Sequence, residues 1–215
     1  MLQSKLSTAL LLSVAISLAF SDSASAELTI NGNFEAGDTS GWVSFPTGNS
    51  TFAAINSPLT DVFDDSFSGR LENTAEASAA VIKQANLGIG VVQPGDELTI
   101  SFWAKGAGEA GGVHVAEFFS EIDGGGISKG EQLGNGPLFL TNDFTFYEFT
   151  TTAGPNVSGG VTLQLAAITG ANIGSTSSMI FDNVSVSLPA AVPEPASAVL
   201  LGFGCLGMLV RRRRS

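Results

Sequence analysis

The chain of 215 residues is 44% hydrophobic and only 13% charged, with 26 glycines, 15 phenylalanines and one cysteine. That fits one domain with appendages and excludes an internal disulfide framework or a cysteine-built zinc site. Between Glu27 and Val192, 18 acidic residues face four basic ones, a net charge of −14, which repels phosphate and excludes nucleic acid and anionic membrane as partners of this stretch.

At the N-terminus one cation, Lys5, precedes the uncharged run Leu6 to Phe20, and Ala24-Ser25-Ala26 follows. This is the pattern of a secretory signal peptide cleaved after Ala26, since the run falls short of the roughly 20 residues a membrane span needs. The mature chain is expected to begin at Glu27.

From Glu27 to Leu188, alternation with a period of two, broken by Gly, Pro, Asn and Asp, takes the place of helical periodicity. Strands are predicted over Leu28–Ile30, Thr51–Ile55, Ala79–Ala85, Glu97–Lys105, Val113–Ser120, Thr145–Thr151, Val161–Ala167 and Met179–Leu188. In the fourth, Leu98, Ile100, Phe102 and Ala104 share one face, and Thr99, Ser101, Trp103 and Lys105 the other. Pro94-Gly95-Asp96 and Gly154-Pro155-Asn156 read as turns. Short strands without crossover helices give an all-β fold, a two-sheet antiparallel sandwich.

The candidate chemistry is sparse. Gly106 to Gly111 matches G-x-G-x-x-G, but a strand follows it where a dinucleotide site needs a helix, and Glu109 would repel a pyrophosphate. Asp61, Asp64 and Asp65 read as a solvated acidic loop. Trp42 and the phenylalanines, including Phe118, Phe119, Phe144, Phe146 and Phe149, are assigned to the core. One histidine, no G-x-S-x-G and no cysteine in the mature domain argue against catalysis, so no enzyme is expected.

Asp182 shares the parity of Ile180, Val184, Val186 and Leu188. A carboxylate buried there must meet Arg70, Lys83, main-chain N–H groups or a bound cation, because an unpaired one would cost several kcal/mol. Trp103 points away from the core by parity, as does Gln164 on another strand. A ring and an amide exposed together suit sugars, whose C–H faces stack on rings while their hydroxyls seek directional partners. The acidic balance makes a neutral glycan the expected ligand.

At the C-terminus Pro193-Glu194-Pro195 precedes the apolar run Ala196 to Val210, then Arg211, Arg212, Arg213 and Arg214. The run makes about 22 Å of helix, short of a roughly 30 Å hydrocarbon core. The arginines would keep the end cytoplasmic and the domain outside. This tripartite tail resembles the PEP-CTERM sorting signal of Gram-negative bacteria. The resemblance implies recognition by an exosortase, transient residence in the inner membrane, removal of the tail near Pro-Glu-Pro, and display at the cell surface or in an extracellular matrix. Cys205 would leave with the tail.

Three further stretches, Asn31-Gly32-Asn33-Phe34-Glu35 with Gly41-Trp42, Val92 to Leu98 running into Ser101-Phe102-Trp103-Ala104-Lys105, and Phe181-Asp182-Asn183-Val184-Ser185-Val186, resemble the opening, middle and closing strands of CenC-type carbohydrate-binding modules. That resemblance implies a jelly-roll sandwich of the galactose-binding-like class. It also implies a structural calcium ion held by Glu35 and Asp182, with carbonyls from a turn such as Ser68-Gly69-Arg70. The expected organisation is a signal peptide over 1–26, a β-sandwich over 27–190 and a sorting signal over 191–215. The expected function is non-catalytic binding of an extracellular polysaccharide through Trp103 and Gln164. The alternative is a structural matrix, adhesion or ice-binding-type surface protein without a sugar site.

Overall fold

A computed structural model describes residues 25–189; the sorting tail and nearly all of the expected signal peptide lie outside them. Eleven strands occur in this region: β1 Ala26–Glu27, β2 Val43–Phe45, β3 Ser50–Ile55, β4 Ser68–Asn73, β5 Ala79–Leu87, β6 Glu97–Glu109, β7 Val113–Glu121, β8 Ile127–Gln132, β9 Thr145–Thr152, β10 Val161–Ile168 and β11 Thr176–Leu188. They form two antiparallel sheets. The first runs β3-β4-β11-β6-β9, with β1 added against the end of β11. The second runs β2-β5-β10-β7-β8. The fold is a two-sheet jelly-roll sandwich.

Alternation decides what lies between the sheets. On β6, Leu98, Ile100, Phe102 and Ala104 are fully buried, and Val161, Leu163, Leu165 and Ala167 of β10 join the same core from the other sheet. One end of the core is aromatic: Phe34, Trp42, Phe52 and Phe181 have all their ring centroids within 5.4–6.3 Å of one another. Trp42 is a core residue, and its indole N–H donates to the Asn31 carbonyl at 3.3 Å. Gly69 admits this cluster, because a Cβ there would stand 2.5 Å from the Phe34 ring and 2.8 Å from that of Phe181.

Seven of the predicted strands form within a few residues of their expected bounds. Leu28–Ile30 does not: pairing falls on Ala26–Glu27, and buried Gln84 clamps Ile30 by accepting its N–H at 2.9 Å and donating to its carbonyl at 2.6 Å. Strands β2, β4 and β8 were not predicted. Ser68-Gly69-Arg70, read as a turn, opens β4, which is internal to the first sheet. The glycine-rich stretch is also half strand, since β6 runs through Glu109 and the chain turns at Ala110-Gly111.

Candidate functional site

The outer face of the first sheet is set by a bulge in β11. The register with β6 shifts between Asp182 and Ser185, and Asn183 adopts φ 48°. Parity reverses there: Met179 and Phe181 join the core before the bulge, Val184 and Val186 after it. Asp182 therefore lies beside its register partner Trp103 on the outer face, and not with Val184 as parity suggested. It is still only 1% exposed, because residues 56–67, the β3–β4 connection, strap that face. Phe63 stacks on Trp103 with centroids 4.3 Å apart. Asp61 accepts from Lys105 at 2.7 Å and pairs with Arg70, so of the acids read as a solvated loop Asp61 is ion-paired, while Asp64 and Asp65 are exposed.

Beneath the strap, Asp182 Oδ2 accepts from the Ser68 hydroxyl at 2.8 Å and the Asp64 N–H at 3.4 Å, and Oδ1 from the Asn183 N–H at 2.7 Å. Glu35 Oε1 accepts the N–H groups of Ser66 and Phe67 at 3.0 and 2.7 Å. Burial outweighs the donors to Asp182, and with the Glu35 charge adding to it, pushes the carboxyl up to about 6. Of the partners expected for Asp182, main-chain N–H groups are present. Arg70 is taken by Asp61, and Lys83 belongs to the other sheet. No cluster of three or more His, Cys, Asp or Glu suited to a metal occurs among the described residues.

Trp103 and Gln164 do not share a platform. Trp103 is half-buried in the first sheet, under Phe63 and beside Phe146 at 5.3 Å. Gln164 faces outward from the second sheet, whose outer side points the opposite way. Parity fixed each direction correctly but could not assign strands to sheets.

The outer face of the second sheet carries a polar row. Register places Val43, Lys83, Gln164, Glu117 and Gln132 side by side on β2, β5, β10, β7 and β8. At about 4.8 Å between strands the polar members span roughly 14 Å. Gln164 Nε2 donates to Glu117 Oε2 at 2.6 Å. Apolar groups flank the row: Val43 and Phe45 are 50% and 48% exposed. On the other side Phe119 lies across Gly130, where a Cβ would come within 3.0 Å of the ring. Phe119 is thus a half-buried ring on the outer face and Phe146 an exposed one, contrary to their core assignment. Phe45 was missed because β2 is only three residues long, too short for alternation to mark it as a strand.

The lone imidazole reaches neither outer face. His114 is buried, its Nε2 2.9 Å from the Ser178 carbonyl oxygen, and burial holds its pKa below the usual histidine value.

Residues 191–214 match the family model of the PEP-CTERM protein-sorting motif. The C-terminal tail is a PEP-CTERM sorting motif. No curated protein matches the chain in sequence. In fold the sandwich is similar to the CBM22-1 xylan-binding domain from Paenibacillus barcinonensis Xyn10C, with a TM-score of 0.56 at 15% identity over 79% of this chain and 98% of that one. It is similar to a Stig cyclase, Fisc, from Fischerella sp. TAU, with a TM-score of 0.55 at 17% identity over 79% and 100% of the two chains. The enzymatically active domain of bacteriophage CBA120 tailspike protein 4 gives 0.56 at 19% identity over 75% of this chain, which spans only 21% of the tailspike chain. At these identities the likeness establishes the fold.

Proposed function

We propose that the chain is a secreted protein, sorted by an exosortase after transient residence in the inner membrane, whose sandwich binds an extracellular polysaccharide without catalysis at the surface of a Gram-negative cell. The observation that carries the reading is the outer face of the second sheet. Lys83, Gln164, Glu117 and Gln132 offer donors and acceptors in one row, with Phe45 and Phe119 beside it. A neighbour in fold named as xylan-binding supports it. Against catalysis, the outward carboxylates of β7 are each held by a side-chain donor, Glu117 by Gln164 and Glu121 by Thr162. Four residues apart on one strand, they stand about 13 Å from each other, beyond the spacing a glycosidase pair uses.

The same reading assigns a structural calcium ion to Glu35 and Asp182. The donors fit a hard cation: two adjacent carboxylates are short of positive charge, and Glu35 Oε2 has no protein donor among the described residues. The carbonyls of β4 serve the ladders on either side of it, so the remaining oxygens would come from the strap.

Affinity electrophoresis on glycan-impregnated gels tests the platform. Gln164→Ala and Phe45→Ala are each expected to weaken retention at least tenfold while changing stability by about 1 kcal/mol. Trp103→Ala, which unseats Phe63, should instead lower stability by about 3 kcal/mol with retention intact in the folded fraction. Unchanged retention in both platform variants refutes the assignment. For sorting, the mature surface form is expected to lack Ala196 to Ser215 by intact mass, and serine at Arg211 to Arg214 should trap the precursor. A surface form that still contains Cys205 would contradict this.

A further inference from the structure

The described domain contains four cations, Arg70, Lys83, Lys105 and Lys129, and three have carboxylate partners. Asp61 takes Arg70 and Lys105, and Glu131 takes Lys129. Lys83 has none among the described residues. It sits within the candidate face, on a strand internal to the second sheet, and its neighbours there are uncharged. Val43 and Gln164 lie opposite it across the ladders, Val81 and Ala85 lie along its own strand, and Phe45 and Ala166 are diagonal to it. Its ammonium rests 5.0 Å over the Phe45 ring, a contact that orients the cation without neutralising it.

We propose that Lys83 is the counter-ion for an acidic sugar, so that the platform selects a polysaccharide bearing carboxylates, such as hexuronates, over a neutral one. This rests on the sugar-binding reading of the face. The row supplies each requirement. Lys83 meets the carboxylate, Phe45 and Val43 take the C–H face of the ring, and Gln164 and Glu117 accept or donate to hydroxyls farther along the chain. The domain's negative charge does not forbid such a ligand. At physiological ionic strength charges are screened beyond about 8 Å. Glu117, the next charge along the row, stands two strands away, roughly 10 Å from Lys83 in backbone terms, and is hydrogen-bonded to Gln164. The overall charge pointed to a neutral glycan, whereas the local arrangement points to an acidic one.

The test compares retention of the secreted protein by alginate, polygalacturonate and the producing cell's own exopolysaccharide, each before and after chemical reduction of its carboxyl groups to alcohols. At least one acidic form should be retained tenfold or more above its reduced counterpart, with the preference shrinking as salt rises. Lys83→Met should abolish that preference and Lys83→Arg should keep it, with thermal unfolding little changed in both. Equal or stronger retention by the reduced forms, or a preference that survives Lys83→Met, overturns the proposal while leaving sugar binding intact. Absence of retention by all six polysaccharides and by neutral xylan and cellulose removes the sugar-binding reading and this proposal with it.

Discussion

Replacing Asp61 with alanine is expected to destabilise the domain by about 3–5 kcal/mol, the cost of leaving the buried ammonium of Lys105 without a carboxylate, while Arg70 keeps Glu72 at 3.9 Å. Asp61 bridges β6 and β4 through Lys105 and Arg70, on either side of Ile180, which is in register with both. Burial raises the Asp61 carboxyl, but the hydrogen bond and charge of Lys105, joined by those of Arg70, outweigh it and hold the group below the usual carboxylate range. Without Asp61, the ammonium of Lys105, a residue 9% exposed, keeps only the Thr60 carbonyl and the face of Phe144. Urea unfolding with an unchanged slope would measure the loss. Emission from Trp103 should shift to the red as Phe63 lifts away. A loss of less than about 1 kcal/mol would mean that the bridge behaves like a solvated surface pair.

Legibility in the sequence followed the range of the forces involved. β6 and β10 declared themselves because alternation is local, and on β6 the inward Leu98, Ile100, Phe102 and Ala104 were all named correctly. β4, whose sequence Ser-Gly-Arg-Leu-Glu-Asn has no apolar alternation, is a strand because β3 and β11 lie on either side of it. Nothing within those six residues records that. Asp182 is the most instructive case: its burial was inferred correctly from a parity that the bulge at Asn183 in fact reverses. The strap, not the core, covers it, and the strap depends on Asp61 finding cations nine and 44 residues away. The same limit separated Trp103 from Gln164 and hid the surface role of Phe119, since sheet membership is a long-range property.

Asp182 carries the second large effect, and its sign is opposite to that of Asp61. Its folded-state pKa is raised from 3.8 to about 6, so the native domain binds an extra proton in that interval and loses stability as pH rises through it. A shift of roughly two units corresponds to about 3 kcal/mol, lost between pH 4 and pH 7 when divalent cations are chelated. Asp61, with its lowered value, stabilises above the ordinary carboxylate range and ceases to do so as pH falls. In chelator the two groups together therefore place the maximum of stability near pH 4, with a decline as pH rises toward 7 and another as it drops below the ordinary carboxylate range. Asp182→Asn keeps the shape and a carbonyl acceptor, and should remove the decline on the alkaline side. Calcium should restore what ionisation costs: at 100 times its dissociation constant it adds about 2.7 kcal/mol, and only above pH 6, where the carboxylate is free to bind it. Thermal unfolding of both proteins across pH, with calcium and with chelator, separates the outcomes. A flat wild-type profile would mean that the carboxyl is as well solvated as in the unfolded chain. A decline that calcium does not reverse would mean that the N–H groups of Asp64 and Asn183 and the Ser68 hydroxyl are the only partners Asp182 has.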